Sequence, residues 1–297
     1  MLAVIIPYYK LTFFEAALQS LAAQTDKRFK VYIGDDASPE DCSSLLKKFE
    51  GQFDFVYHRF ESNLGGASLT KQWERCIVLS GNEDWLMFFG DDDVLGENVV
   101  EEFYKNLEAI TPLKIPVVRF ATQIINDLNY PDSGIYHHPK IETATDFLFR
   151  NTRSSLSEYI FLKENIMKIG FRNFPLAWYS DLLAVLEFSN FKEVYTINES
   201  IVNIRVSSLS ISGNADFLKD KNQSKFDFYY YLLSKKRKFF SGDKQKELFA
   251  RISKCYINEK KQFRYFFKIS WLYLKFFNGI GFLGFIKSII FYTFQKR

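Results

Sequence analysis

The feature that most constrains this chain is a change of period that repeats across its N-terminal third. Short apolar, β-rich runs alternate with stretches whose apolar residues recur at helical spacing. "LAVIIPYY" leads into "TFFEAALQSLAAQ", where Phe14, Leu18, Leu21 and Ala22 share one helical face. "FKVYIGDDAS" leads into "PEDCSSLLKKFEG", with Pro39 near the start of the predicted helix and Gly51 just past its end. "FDFVYHRF" precedes "SLTKQWERCIVLSG", closed by Gly81, and "DWLMFFG" supplies a fourth strand-like run. Strand, helix, strand, helix predicts an α/β fold: a mostly parallel, Rossmann-like sheet with right-handed crossovers and helices on both faces.

Open sheets of this kind bind ligands beyond the carboxyl ends of their strands. Two of the four runs end on acids there: Asp35 and Asp36 in one, and Asp91, Asp92 and Asp93 in "LMFFGDDDVLGENV" in the other. Three adjacent carboxylates repel one another, and each disfavours ionisation of the next. A solvated acidic turn accounts for one such cluster. Two clusters on one edge favour a bound cation, and a divalent metal with oxygen ligands is the first candidate.

The remaining composition sets the boundaries. A chain of 297 residues holds one large domain or two smaller ones. Cys42, Cys76 and Cys255 are scattered, which gives neither a zinc site nor a disulfide framework and fits a reducing compartment. "MLAVIIPYYK" has a short apolar run, Leu2 to Ile6, without a basic leader, and reads as a first strand rather than a signal peptide. From residue 114 the pattern loosens: "IPVVRFATQII" and "YTINESIVNIRV" read as strands, and "ATDFLFRN", "KENIMKIG" and "SDLLAVLEFSN" as helices. His137 and His138 are adjacent and would face opposite sides of an extended segment, so a shared metal is not expected. Gly65 and Gly66 match no phosphate-binding motif and read as a turn, while Trp73 and Trp178 read as packing residues or pocket walls.

Charge divides the chain. Residues 220–297 hold 18 Lys/Arg and 5 Asp/Glu, near +13, which leaves 39 − 18 = 21 basic and 35 − 5 = 30 acidic residues in 1–219, near −9. The expected domains are therefore 1–219 and a helical, basic and aromatic extension, 220–297. The longest uncharged run of the extension, Phe276 to Ile286, is shorter than the roughly 17–25 residues of a membrane-spanning helix. Arg264, Lys268 and Lys275 fall on one helical face among Phe, Trp, Tyr and Leu, the composition of a helix lying at an anionic membrane surface. The alternatives are a helical subdomain that buries its aromatics and, third, a nucleic-acid partner, for which no recognisable module is present.

Several motifs occur in a specific order. "VIIPYYK" is similar to an opening strand written V-I-I-P-x-Y-N, and "ALQSLAAQTDKRFKVYIGDDAS" to A-L-x-S-L-x-x-Q-T…F-E-(apolar)-x-V-D-D-G-S. "NLGGA" matches N-x-G, "FFGDDDVL" matches F-L-D-x-D-D-x-L with its DxD signature, and "KIGFRN" resembles G-F-D-E. "YSDLL" sits where an E-D pair is carried. Together, over residues 2–215, they resemble the family 2 glycosyltransferases with the GT-A fold.

That resemblance implies an inverting, metal-dependent enzyme that moves a sugar from a nucleoside diphosphate, UDP in the first instance, to an acceptor hydroxyl. It implies a nucleotide-binding half, 1–113, and an acceptor-binding half, 114–219. Pro7 and Tyr9 would line the nucleoside pocket, and Asp36 would accept a hydrogen bond from the base. Asp91, Asp92 and Asp93 would hold Mn²⁺ or Mg²⁺ against the diphosphate. Asp181, behind the potential helix cap Ser180, is the candidate base: a carboxylate in a first helical turn is favoured in its ionised form. The acceptor would be a carbohydrate or glycolipid of a bacterial surface polymer, reached at the cytoplasmic face of the membrane.

The chain departs from the family pattern at several points. Lys10 stands for the usual Asn, Gly90 for the first acid of the D-x-D-D block, and Ser180 for the Glu of the E-D pair. Thr70 and Lys71 stand for an Arg and an Asn of the third helix, so Lys71 or Arg205 is left to supply positive charge at the diphosphate. Two alternatives follow: a membrane-associated GT-A scaffold without catalysis, and a phospho-accepting receiver domain, which is much shorter than this chain.

Overall fold

The computed structural model describes residues 1–150, 153–207, 217–259, 262–276 and 278–294. It divides into two compact units: Met1–Asn173 with Ser180–Ala215, and Phe174–Tyr179 with Asp216–Arg297. Composition did not set Phe174–Tyr179 apart.

The first unit opens as the periodicity predicts, with β1 (Leu2–Tyr8), α1 (Phe14–Ala22), β2 (Phe29–Asp35), α2 (Ser43–Lys47), β3 (Asp54–Arg59), α3 (Leu69–Ile77) and β4 (Trp85–Phe88). It continues through β5 (Val94–Leu95), α4 (Val99–Leu113), β6 (Val117–Ile125), β7 (Ile141–Thr143), α5 (Ala144–Phe147), β8 (Tyr159–Leu162), α6 (Lys163–Ile169), α7 (Ser180–Phe188) and β9 (Glu193–Arg205). Among the described residues the strands form one nine-stranded sheet in the order β3-β2-β1-β4-β8-β6-β9-β5, with β7 on β9. Strands β3, β2, β1 and β4 are parallel, and β6 and β9 are parallel. The short β8 runs antiparallel between β4 and β6 and joins the two parallel parts.

The order follows from burial. Leu2 to Ile6 have no exposed surface, as a strand covered by helices on both faces requires. Leu18, Leu21, Val31, Ile33, Met87 and Phe103 belong to one buried cluster around this part of the sheet. Phe103 on α4 is fully enclosed, and its truncation to Ala should cost about 3–5 kcal/mol. Helix α3 starts at Ser68, whose side chain accepts from the Lys71 N–H at 3.4 Å.

The second unit is helical: α8 (Leu218–Tyr231), α9 (Gly242–Asn258), α10 (Phe263–Lys275) and α11 (Gly279–Phe294). Aromatic contacts hold it together. Phe226 stacks on Tyr265 at 3.7 Å between centroids, and Phe249 on Tyr273 at 4.5 Å. Ser224 donates to the Pro175 carbonyl at 2.6 Å, and the Tyr179 ring lies 4.8 Å from Phe228, so Phe174–Tyr179 packs with these helices. The basic face expected on α10 is not uniform: Lys268 turns onto its own unit, 3.6 Å from Asp227 and over the rings of Phe226 and Tyr230. Among the described residues no helix is long and apolar enough to cross a membrane.

Candidate active site

The site lies at the carboxyl ends of β1, β2 and β4. Beyond β1 the chain turns out of the sheet at Tyr9 and Lys10, and their N–H groups donate to Asp91 Oδ2 at 2.8 and 2.9 Å. This ties the end of β1 to the acidic block after β4. Tyr9 is 39% exposed and Pro7 is half-buried beside it. The Tyr9 carbonyl accepts from Ser38 Oγ at 2.6 Å, which brings the end of β2 to the same edge.

The two acids after β2 act within the chain. Asp35 is buried and accepts from Tyr57 at 2.6 Å, Arg59 at 2.7 Å and the Ser38 N–H at 2.7 Å. Asp36 accepts from the N–H groups of Leu64 at 2.7 Å and Gly65 at 2.8 Å, and from Arg75. Asp36 thus fastens the loop that carries Gly65. Two oxygens offer about four lone-pair sites, so the carboxylate keeps capacity for one further donor. A Cβ at Gly65 would lie 2.5 Å from Asp36 Oδ2, so any larger residue would push that carboxylate aside.

The three aspartates have different surroundings. Asp93 is buried; its Oδ1 accepts from the Arg205 N–H at 2.9 Å, and its carboxylate also interacts with Ser157. Asp92 differs from both neighbours: among the described residues its carboxylate accepts only from its own N–H. Burial raises all three carboxyls above the usual carboxylate range. For Asp92 the rise is large, with the Asp93 and Asp91 charges adding to burial. Gly90 leaves room for this packing, since a Cβ there would meet Asp92 Oδ1 at 2.8 Å and Asp93 Oδ2 at 2.9 Å. The Gly90 N–H donates to Ser157 Oγ at 3.1 Å.

Arg205 is 2% exposed. Its Nε donates to the Asp92 carbonyl at 2.8 Å, its other nitrogens reach Asn126 and Asn129, and its guanidinium stacks on Phe13 at 4.3 Å. Lys71 is exposed in the first turn of α3.

Among the described residues no group of three or more His, Cys, Asp or Glu side chains converges to hold a metal. The donor set still fits a divalent ion of the kind expected. Mg²⁺ and similar ions at diphosphates take one or two carboxylates and fill the rest of their shell with phosphate oxygens and water. The Asp92 carboxylate, crowded by the like charges of Asp93 and Asp91, is of the type such an ion takes.

Asp181 opens α7 in the first helical turn. Burial raises its carboxyl to about 6, against partial offsets from the N–H groups of Leu182 and Asp181 and from the Arg153 charge. Arg153 also acts electrostatically on Asp93, so one guanidinium influences both the acidic block and the candidate base. Arg153 is fixed by Glu158 at 3.0 Å and Thr122 Oγ1 at 3.2 Å. Burial raises Glu158 to about 7, with Arg153 and Arg119 opposing the rise. His138, 5% exposed, is lowered to about 3 by burial and by the Arg119 and Arg150 charges. Its Nδ1 lies 2.7 Å from Arg150 Nη2 and must accept there, since Arg only donates. His138 is therefore a neutral structural residue. Trp73 packs on Phe88 and Phe171 in the first unit, and the Trp178 ring meets Lys221 in the second.

Pro7, Tyr9, Asp36, Asp91, Asp92, Asp93 and Arg205 thus belong to one connected edge, and Asp181 connects to it electrostatically through Arg153. Sequence reasoning missed Arg153, Ser157 and Glu158. A signal was present: Ser155 and Glu158 form a reciprocal capping box ahead of "YIFL".

A mostly parallel sheet with helices on its faces and acid-tipped strands on one edge is the architecture of a GT-A glycosyltransferase. The model of the family described as Glycosyl transferase family 2 matches residues 3–163, more than half of the chain. The chain belongs to glycosyltransferase family 2. An uncharacterized glycosyltransferase of Haemophilus influenzae is 27% identical over 206 residues, 68% of this chain and 67% of that protein. The crystal structure of S. aureus TarS 1-349 in complex with UDP-GlcNAc superposes with a TM-score of 0.63 at 16% identity, over 87% of this chain and 73% of that one. GalNAc-T7 with UDP, GalNAc and Mn2+ gives 0.53 at 10% identity, over 84% of this chain and 53% of that one. At these identities the solved structures show the shared fold.

Proposed function

We propose that the chain transfers a sugar, with inversion, from a UDP-sugar to an acceptor hydroxyl of a carbohydrate or glycolipid in the synthesis of a bacterial surface polymer. The observation that carries this reading is the fixing of the Asp91–Asp93 block to the backbone beyond β1. Among the described residues no neighbouring residue donates a hydrogen bond to the Asp92 carboxylate, at the edge where a diphosphate would bind. The complexes of TarS with UDP-GlcNAc and with UDP support a nucleotide-sugar donor.

In this reading Tyr9, exposed at the strand end, stacks on the nucleoside base beside Pro7. Asp36 accepts from the base through its one remaining acceptor site. Lys71 faces the diphosphate, and Arg205 holds the acidic block rather than the substrate, since its guanidinium is already engaged. Asp91 and Asp93 orient Asp92, which would hold Mn²⁺ or Mg²⁺. Such an ion would supply Lewis-acid stabilisation of the leaving diphosphate.

Asp181, with a carboxyl near 6, is ionised at neutral pH and close to the optimum for a general base. It takes the proton of the acceptor hydroxyl as that oxygen bonds to the anomeric carbon. The bond from that carbon to the diphosphate oxygen breaks in the same displacement, which inverts the configuration.

The basic second unit places the enzyme against the anionic inner surface of the cell membrane, where a lipid-linked acceptor is presented. A thermal-shift series of nucleoside diphosphates and nucleotide-sugars with Mn²⁺ tests the donor, because a site-specific ligand must raise the melting temperature. Metal-dependent hydrolysis of one of these sugars separates the enzyme from an inactive scaffold. No response to any of them sinks the proposal.

A further inference from the structure

We propose that the outward face of α10, formed by Phe263, Phe267, Trp271 and Leu274 and flanked by Arg264 and Lys275, is an insertion surface for the interfacial layer of an anionic lipid membrane. The four apolar residues recur at intervals of four, four and three, which places them on one helical face. They are 70%, 67%, 58% and 65% exposed. The opposite face of α10 is occupied, with Tyr265, Ile269, Leu272 and Tyr273 buried within the unit. The outward stripe is therefore surplus to the packing that holds the helix in place. Its neighbour α11 extends the apolar surface through Ile280, 89% exposed, and Leu283, 63% exposed, with Lys287 also exposed.

Large exposed aromatics arranged this way mark an interaction surface. Charge selects the occupant. Neither α10 nor α11 contains an Asp or Glu, and Arg264 and Lys275 are exposed at the two ends of the stripe. Asp227, on α8, is paired with Lys268. A second copy of the chain would bring two surfaces of like charge together. An anionic lipid surface complements the cations and accepts Trp and Phe at headgroup depth. Because no described helix is long and apolar enough to cross a membrane, the contact is interfacial.

Two contributions follow: attraction that salt screens, and apolar insertion that salt leaves in place. Flotation of the full chain with phosphatidylglycerol/phosphatidylcholine vesicles, at low and high salt, reads both. The double variant F267S/W271S should lose at least about tenfold in partitioning and all of the salt-resistant fraction. The variant R264Q/K275Q should keep that fraction and lose most of the salt-sensitive part. All four side chains are exposed, so far-ultraviolet circular dichroism and the urea midpoint should match the parent. The inference rests on the membrane-side part of the proposed function, yet its test is separable, since hydrolysis of a UDP-sugar in solution should be unchanged in both variants. It is overturned if the parent ignores anionic vesicles, or if F267S/W271S floats like the parent. It is equally overturned if light scattering finds a dimer that F267S/W271S dissolves, which would assign the face to a second copy.

Discussion

Arg205 grips Asp92 by its main chain, not its carboxylate: Nε donates to the Asp92 carbonyl at 2.8 Å. Its backbone is anchored, while among the described residues no other residue donates to the side chain. Asp92→Asn should therefore fold normally but bind UDP equally weakly with Mn²⁺ and with EDTA, whereas the parent should lose affinity on chelation. Calorimetry of UDP binding decides this, and unchanged parental affinity in EDTA removes the metal role. Arg205→Lys keeps the charge but not the fork. It should weaken UDP binding by about tenfold, which is about 1.4 kcal/mol.

Asp181→Asn should reduce turnover by about 10²–10⁴-fold while leaving UDP affinity intact. Single-turnover transfer and calorimetry on one preparation test both halves. Near-normal turnover would remove Asp181 from the mechanism.

The same substitution has a stability signature. The folded carboxyl, near 6, lies above its ordinary 3.8, so between those values the folded chain binds more protons than the unfolded one. Its contribution is fully present below the lower value and is lost as pH rises through about 6. Asn avoids that loss. D181N should exceed the parent in stability at pH 7.5 by on the order of 3 kcal/mol, with the gap closing toward pH 4. Urea unfolding at both pH values gives the answer, and a pH-independent difference contradicts the burial of a charged group.

If Asp181 is the general base, Arg153 should tune the acid limb of activity. Its positive charge favours the ionised form of Asp181, so Arg153→Met should move the limb of kcat to higher pH, and Arg153→Lys should restore it. Removing Arg153 also leaves Glu158 buried without its ion pair, so a loss of stability in Arg153→Met is expected. The pH profile, normalised to folded protein, distinguishes tuning from simple unfolding. A profile that only scales down argues for a structural role alone.

Gly65→Ala should destabilise the chain by about 1–3 kcal/mol, because the new Cβ must displace the Asp36 carboxylate 2.5 Å away. Urea denaturation measures it. An Ala variant as stable as the parent would mean that the Asp36 loop yields freely.

The parts legible in the sequence were those written in a strong period. Strands β1 to β4 and helices α1 and α3 show it, and the acids at the strand ends needed only the rule about where ligands bind. Strand β8 was missed because Tyr159–Leu162 is too short to display a period and owes its place to pairing with β4 and β6. The distinct surroundings of Asp91, Asp92 and Asp93 were not legible either. Adjacent identical residues differ only through distant partners: the N–H groups of Tyr9 and Lys10 for Asp91, and that of Arg205 for Asp93. On the extension, spacing grouped Lys268 with Arg264 and Lys275, but Asp227, on another helix, draws Lys268 inward.

The second unit is not a detachable cassette. Phe174–Tyr179 belongs to it, yet lies between Asn173 and Ser180 of the first unit, immediately before the helix that carries Asp181. Three of its residues, Leu176, Ala177 and Tyr179, have left-handed backbones at φ 58°, 51° and 71°, conformations that side-chain-bearing residues adopt at a cost. A graft that exchanges only the basic helices would leave this segment facing foreign packing. Exchange between relatives should therefore succeed only when Phe174–Tyr179 travels with the helices, so the segment ahead of α7 and the basic extension would be exchanged as one unit.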